Sequence, residues 1–284
     1  MIDLRQLQLE AEAVYSVDAT RKTLNEIVAF FKRHPIYEEA IEVIAMKERG
    51  LTREIAERCE CFFIPDDITV DDIPEEFKHE SLGLCKGRYV TYAGRFVYPV
   101  KDVRGDVMGF CGWDGGIEPK YLDSKNNGYK AKETTLYGME ELPRYYMEAK
   151  PVFVVEGIVC CLYLRSQGYH ALALLGSNLS PYVQEILNRL GSKVILIPDN
   201  DTVKTVDEDR PLQREQLNLN TDTSGERLVK MAMKKLPLAF IVQTRDLKDI
   251  DDTRQVYEEE LGQDLCMLNQ IPMWPNLIRL RRRR

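Results

Sequence analysis

The spacing of apolar residues predicts helices in the first part of the chain. Over residues 19–61, apolar positions recur every three or four residues, as on one face of an α-helix. Pro35 separates two such runs, Gly50 ends the second, and Thr52 is placed to cap a third. We therefore predict a helical N-terminal segment over residues 1–61. The acidic, proline-containing stretch 62–83 that follows indicates a connecting segment.

The period of the pattern then shortens. Runs rich in β-branched and aromatic residues over 88–113 are separated by glycine turns, which is typical of small antiparallel strands. Residues 114–138 are rich in Gly, Lys and Asn and indicate surface loops. The pattern predicts a small α+β subdomain over residues 62–150. Five aromatic residues alternate there, which favours core packing over base stacking: Tyr89, Tyr92, Phe96, Tyr98 and Phe110.

A third pattern begins after Pro151, where apolar strands alternate with amphipathic helices. This spacing is typical of βαβ units and predicts a parallel sheet in an α/β domain over residues 151–265. A polar stretch, 202–221, indicates an inserted loop, and residues 266–284 form a basic tail. The predicted strands are 152–155, 170–175, 193–197 and 238–243.

The distribution of charge changes what the total suggests. The chain of 284 residues carries a net charge of −7, which argues weakly against wholesale binding of nucleic acid. Between Lys86 and Glu133, however, nine basic residues face six acidic ones, and the tail from Arg279 to Arg284 holds five arginines. These two basic islands can contact phosphates locally, although the tail also fits a solvated chain end.

Composition excludes several classes of protein. No stretch is long and apolar enough to span a bilayer, and the first residues lack the order of a secretory signal. We therefore expect a cytoplasmic protein without a membrane partner. Seven cysteines occur without a Cys-x-x-Cys pair and with only three histidines, so we expect reduced thiols and no structural zinc.

Carboxylates follow three of the predicted strands, each at the point where the strand ends. Glu156 follows the first, Asp199 and Asp201 follow the third, and Asp249 and Asp251 come shortly after the fourth. Because parallel strands end at one edge of a sheet, these side chains are expected to converge there. Hard oxygen ligands select Mg²⁺ or Mn²⁺. The alternative is that each is simply a polar loop residue.

The acidic motifs resemble a known fold. Glu156-Gly157, Asp199-Asn200-Asp201 and Asp249-Ile250-Asp251 are similar to the motifs of the Toprim fold, which primases share with topoisomerases and some nucleases. Upstream motifs resemble the N-terminal half of the DnaG-type DNA primase catalytic core, so that the resemblance runs from about residue 47 to about residue 252. They are Arg95-Phe-Val-Tyr-Pro-Val-Lys-Asp102, Arg104-Gly105, Gly109-Phe110, Pro119-Lys-Tyr-Leu122, Ser124 and Leu136-Tyr137-Gly138.

The resemblance implies a function and a set of site residues. It implies a primase that makes short RNA primers from ribonucleoside triphosphates on single-stranded DNA, with a replicative helicase or another replication protein as partner. Catalysis falls to Glu156, Asp199 and Asp201, and these three with Asp249 and Asp251 hold Mg²⁺ or Mn²⁺. The residues implied to bind nucleic acid or nucleotide are Lys120, Lys132, Arg95 and Arg104.

The sequence also departs from the family pattern. Trp113 stands where the family carries arginine, and Cys160 stands where it usually carries aspartate, which leaves the number of bound ions open. The cysteine pattern cannot form the family's zinc-binding domain, so we expect a compact, phage-like form. Two alternatives remain: a Toprim-type metal-dependent nuclease, and a non-catalytic DNA-binding replication module.

Overall fold

The structure is a computed structural model that describes residues 19–116, 119–124, 135–148, 150–176, 179–199, 224–236, 239–244 and 277–280. The chain divides into two compact units, Met1–Pro143 and Arg144–Arg284, which are described separately below. Among the helices of the described residues, none combines the length and the apolar character that crossing a membrane requires.

The N-terminal unit begins with the predicted helices. They are α1 (19–32), α2 (Tyr37–Ala40), which continues as a π-helix (Ile41–Glu48), and α3 (Arg53–Arg58). The Thr52 hydroxyl accepts a hydrogen bond from the Ile55 backbone N–H and caps α3, as predicted. Gly50 has a φ of +63°, which glycine adopts more readily than other residues. It lies between the π-helix and α3. Helices are therefore present where predicted between residues 19 and 58, and residues 1–18 lie outside the described residues.

Six strands follow in the same unit. They are β1 (Phe62–Ile64), β2 (Cys85–Lys86), β3 (Tyr89–Val90), β4 (Arg95–Lys101), β5 (Val107–Trp113) and β6 (Tyr121–Asp123). Four of them form an antiparallel sheet in the order β1-β4-β5-β6, whereas β2 and β3 form a separate hairpin.

The helices and the sheet share an aromatic core. Phe31 of α1 stacks on Phe62 of β1 with ring centroids 5.3 Å apart, and Phe62 meets Phe110 of β5 edge to face. The prediction that residues 62–83 only connect is wrong at its start, because Phe62 and Ile64 are fully buried in the sheet. Three residues are too few for their alternation to stand out in the sequence.

The C-terminal unit is the predicted parallel α/β domain. Its elements are α4 (Leu142–Met147), whose first residues belong to the other unit, β7 (Val152–Val155), α5 (Ile158–Ser166), β8 (His170–Ala173), α6 (Pro181–Leu190), β9 (Val194–Leu196), α7 (Ser224–Lys235), β10 (Phe240–Thr244) and β11 (Leu277–Leu280). The sheet order is β8-β7-β9-β10-β11, and the first four strands run parallel.

The burial of the strands is typical of a parallel sheet. Every residue of β7, β8 and β9 is buried, as expected when helices cover both faces of a sheet. Strand β11 pairs antiparallel with β10. It lies in the segment 266–284 predicted as a basic tail, so that prediction is wrong for residues 277–280. The inserted loop 202–221 lies outside the described residues.

Histidine and lysine side chains brace the start of this sheet. The His170 ring stacks on Tyr145 with centroids 4.3 Å apart, and its Nε2 lies 3.0 Å from a Glu148 carboxylate oxygen. Lys193 donates hydrogen bonds to the backbone carbonyls of Tyr145, Tyr146 and Glu148, at the C-terminal end of α4. Burial lowers the pKa of His170, and this effect outweighs the opposing attraction of Glu148.

The lowered pKa of His170 predicts a pH dependence of stability. In the unfolded chain this histidine binds a proton near pH 6.5, whereas the folded protein keeps it neutral to a lower pH, so protonation favours unfolding. Between pH 7.5 and 5.5, the free energy of unfolding should fall more steeply in wild type than in His170→Gln, by at most about 1.4 kcal/mol per pH unit. Urea unfolding at several pH values measures both slopes. Equal slopes in wild type and His170→Gln would contradict the assignment.

Candidate functional site

The C-terminal unit brings two of the predicted carboxylates together. Strands β7 and β9 are neighbours, and the chain leaves β7 for β8 on one side and later returns to β9 on the other. This is the point in an open α/β sheet where the strand order reverses and ligands bind. Glu156 directly follows β7, and Asp199 comes three residues after β9. Glu156 and Asp199 therefore lie at the same edge of the sheet.

A hydrogen bond ties the two residues to each other. The carboxylate oxygen Oε1 of Glu156 accepts the backbone N–H of Asp199 at 3.0 Å. Glu156 is only 7% exposed, whereas Asp199 is half-buried. The backbone before Asp199 is held by the sheet, because Ile197 N–H donates to the Val154 carbonyl at 2.8 Å. The result is a pair of carboxylates at one sheet edge, one buried and one partly open to solvent.

This donor set fits a hard divalent cation. Both groups are carboxylates, and a buried carboxylate beside a second one is stabilised by a cation between them. The predicted ligands Asp201, Asp249 and Asp251 lie outside the described residues. Within the part of the chain that the structure describes, no three or more His, Cys, Asp or Glu side chains group closely enough for a metal site.

Cys160 occupies the first turn of α5, four residues after Glu156. Its thiol is buried and free of any disulfide. A thiol is a soft ligand and does not replace a carboxylate on Mg²⁺. The six cysteines that the structure describes are buried, and none of them forms a disulfide.

In the N-terminal unit, Arg95 and Lys120 lie together. The Arg95 guanidinium donates from Nη1 to the Pro119 carbonyl at 3.0 Å and lies 3.4 Å from the Lys120 carbonyl. Arg95 is 5% exposed, whereas the Lys120 side chain points to solvent. Glycine is needed at 112, because a Cβ there would come within 2.7 Å of the Tyr92 ring and 3.1 Å of Arg95. Arg95 thus braces the loop that presents Lys120.

Arg104 lies at the other end of the same sheet. It sits in the turn between β4 and β5, where the Asp102 carboxylate accepts the backbone N–H groups of Arg104 and Asp106. The length of β5 separates this turn from Lys120, about 23 Å for seven residues. Arg104 is therefore not part of the same cluster as Arg95 and Lys120. Lys132 lies outside the described residues.

The structure also supplies a cation that the sequence analysis missed. The Arg49 guanidinium, at the end of the π-helix, lies 3.6 Å from the ring centroid of Trp113, and both residues are buried. Trp113 was noted only as the replacement of a basic residue. No sequence signal links two residues that are 64 positions apart, so only the fold shows that a positive charge is present beside Trp113.

One prediction about the aromatic residues is wrong. Tyr92, Phe96, Tyr98 and Phe110 are buried as expected, but Tyr89 is 77% exposed. It lies in the short β2–β3 hairpin, where alternate residues face solvent.

Known proteins share the architecture of both units. Residues 30–143 match the family described as DNA primase catalytic core, N-terminal domain. The chain is 35% identical to the DNA primase of Thermotoga maritima over 131 residues, which are 45% of this chain and 23% of that protein. It is 27% identical to the DNA primase of Aquifex aeolicus over 207 residues, 68% of this chain and 41% of that protein.

Solved structures agree with the sequence relatives. A DnaG primase catalytic domain bound to ssDNA superposes with a TM-score of 0.68 at 22% identity, covering 90% of this chain and 80% of that one. The resemblance to the DnaG-type primase core is confirmed. A second structure, the zinc-binding and RNA polymerase domains of the Aquifex aeolicus primase, has a TM-score of 0.67 at 21% identity and covers 92% and 62% of the two chains.

The matches with the primase core confirm the predicted fold class, a Toprim parallel sheet preceded by helices and a small α+β part. The chain spans less than half the length of the curated relatives cited here. The compact, phage-like form and the division at residues 61, 150 and 265 stay predictions.

The contrast between Arg95 and Lys120 can be tested by stability. Arg95→Met removes a buried charge-assisted hydrogen bond and should lower the free energy of unfolding by about 1–3 kcal/mol. Lys120→Gln changes an exposed side chain and should stay within about 0.5 kcal/mol of wild type. Urea unfolding measures both, and an Arg95→Met protein as stable as Lys120→Gln would refute the bracing role.

Proposed function

We propose that this chain is the catalytic core of a DNA primase, a nucleotidyltransferase that joins ribonucleotides on a single-stranded DNA template. The observation that carries the proposal is the Glu156–Asp199 pair at the strand-order reversal of a parallel sheet, in a chain whose N-terminal unit matches the primase core family. The Thermotoga maritima and Aquifex aeolicus relatives are themselves named DNA primases.

The reaction requires charge neutralisation more than a protein nucleophile. The 3′-hydroxyl oxygen of one ribonucleotide attacks the α-phosphorus of a ribonucleoside triphosphate, the bond to the β-phosphate oxygen breaks, and pyrophosphate leaves while the hydroxyl proton passes to solvent. Bound Mg²⁺ or Mn²⁺ would make the hydroxyl more acidic and offset the charge on the leaving pyrophosphate. Carboxylates suit this task because they hold such cations without forming a covalent intermediate.

We assign the residues as follows. Glu156 and Asp199 hold the cation at the sheet edge, and Asp201, Asp249 and Asp251 complete the ligand set. Lys120, on its exposed loop, attracts the phosphates of template or triphosphate, as we also propose for Lys132 and Arg104. Arg95 acts mainly through the loop it braces. Lys120 makes no ion pair with any residue that the structure describes, so its charge is available to a ligand.

Partners belong to the same proposal. The template is single-stranded DNA, the substrates are ribonucleoside triphosphates, and a replicative helicase or another replication protein couples the core to replication. One related structure is of a DnaG primase catalytic domain bound to ssDNA, which supports the choice of template.

Primer synthesis tests the proposal directly. Wild-type protein with Mg²⁺ or Mn²⁺, single-stranded DNA and labelled ribonucleotides should give short RNA products. Asp199→Ala removes a carboxylate but keeps the backbone N–H that Glu156 accepts, and Glu156→Gln keeps an acceptor oxygen without the charge. Each should lower the initial rate at least about 100-fold. Glu185→Gln changes an exposed carboxylate on α6 and should retain the wild-type rate.

Other products would point to other functions. Cleaved DNA without RNA synthesis would favour a Toprim-type nuclease. Binding of DNA with neither reaction would favour a non-catalytic replication module that retains the fold. The thiol at Cys160, where the family usually carries aspartate, is slight support for that alternative. Full activity in both Asp199→Ala and Glu156→Gln would remove the carboxylate pair from the mechanism.

Metal binding can be measured apart from catalysis. A cation that binds only the folded protein raises its stability by about 2–3 kcal/mol at 100 times the dissociation constant. Mn²⁺ should therefore raise the unfolding temperature of wild type, and a chelator should reverse the shift. The shift should be lost in Asp199→Ala and kept in Glu185→Gln. Equal shifts in all three proteins would show that the cation binds elsewhere.

A further inference from the structure

The β2–β3 hairpin of the N-terminal unit presents an exposed ring between two cations. Lys86 and Tyr89 are paired across the strands, so that their side chains leave on the same face. Gly87 and Arg88 form the turn, in which Gly87 has a φ of +59°. All four residues are exposed, whereas Cys85 and Val90 on the opposite face are buried. The hairpin is therefore anchored by one face and displays the other.

Many of the cations described in this unit form ion pairs with acidic residues, whereas those of the hairpin do not. Lys101 pairs with Glu60 at 2.6 Å, and Arg53 pairs with Glu38 at 2.8 Å. The side chains of Lys86 and Arg88 make no ion pair or hydrogen bond with any residue that the structure describes. Their charge is available to a ligand.

The hairpin lies at the same end of the sheet as Lys120. Its second strand leads through Tyr92, which packs against Gly112, into Arg95 at the start of β4. On its other side, a Cβ at Gly83 would lie 3.9 Å from the Ser124 side chain, just beyond β6. Four residues of extended chain separate Ser124 from Lys120, about 13 Å.

We propose that the tip of the hairpin, Lys86 to Tyr89, is a contact for single-stranded nucleic acid that extends the path marked by Lys120. Tyr89 stacks on one base, and Lys86 and Arg88 contact the phosphates on either side of it. The inference rests on the proposed function for its choice of single-stranded DNA, but the contact needs no catalysis.

The chemistry of the tip favours a single strand over other ligands. An exposed ring can stack only on a base that is not paired within a duplex, and stacking on aromatic side chains is a common mode of single-strand binding. Cations beside the ring neutralise the phosphates of the same strand. A protein partner would be expected to bury a larger apolar surface than one tyrosine.

The test is the affinity of the full chain for a fluorescently labelled oligothymidylate, measured by anisotropy. Tyr89→Ala should weaken binding about 5- to 100-fold, and Tyr89→Phe, which keeps the ring, should restore most of it. Tyr182→Ala removes an exposed tyrosine of the other unit and is the matched control. Because Tyr89 is so exposed, the unfolding temperature of Tyr89→Ala should equal that of wild type.

The salt dependence tests the two cations. In Lys86→Gln/Arg88→Gln, the slope of log affinity against log salt should become shallower by about 1.4, since each lost phosphate contact removes about 0.7. Lys22→Gln/Lys47→Gln removes the same charge from exposed helical positions and should keep the wild-type slope.

The outcomes test the hairpin contact separately from the proposed function. Unchanged binding by Tyr89→Ala, or an equal loss on duplex DNA, would overturn the stacking contact. A loss specific to single strands would uphold it even if the wild type makes no RNA, in which case only the catalytic proposal fails. If Tyr89→Ala makes RNA and binds the oligothymidylate with wild-type affinity, the hairpin contact is contradicted and the primase proposal stands.

Discussion

The hydrogen bond from the Asp199 backbone to the Glu156 carboxylate is the interaction on which the chemistry of the C-terminal unit depends. It joins the ends of two strands that are neighbours in space but separated in sequence by a strand and two helices. Burying a carboxylate costs free energy unless it is hydrogen-bonded. Here the hydrogen bond also fixes the backbone position of Asp199, which carries the second carboxylate. The parallel sheet thus acts as a rigid support that brings negative charge to one edge.

In the N-terminal unit, packing determines which positively charged side chains are exposed. The absence of a side chain at Gly112 leaves room for Arg95. The buried Arg95 guanidinium holds the Pro119 carbonyl, and the neighbouring Lys120 side chain is exposed. Of the basic residues in this region, Lys101 is neutralised by Glu60 and Arg104 belongs to a distant turn. The local excess of positive charge therefore overstates how many cations can reach one ligand, and packing selects those that can.

The acidic total of the chain is compatible with a ligand that carries phosphates. Some exposed acidic residues of the helices form ion pairs, such as Glu38 with Arg53, and such exposed pairs add little to stability. Lys86 and Arg88 of the β2–β3 hairpin and Lys120 on its loop form no ion pair with any residue that the structure describes. What a phosphate meets is the local arrangement of charge, because screening hides more distant charges.

The sequence by itself determined the order of the elements and the chemistry at the strand ends, because periodicity and strand-end carboxylates are local properties of the chain. It predicted the helices, the parallel strands and the positions of Glu156 and Asp199. Only the tertiary structure decided which residues meet across long separations: Arg49 with Trp113, Arg95 with the Lys120 loop, and the exposure of Tyr89. These depend on strand register and on which face of a short hairpin is buried, and two or three residues are too few to record that choice in their pattern.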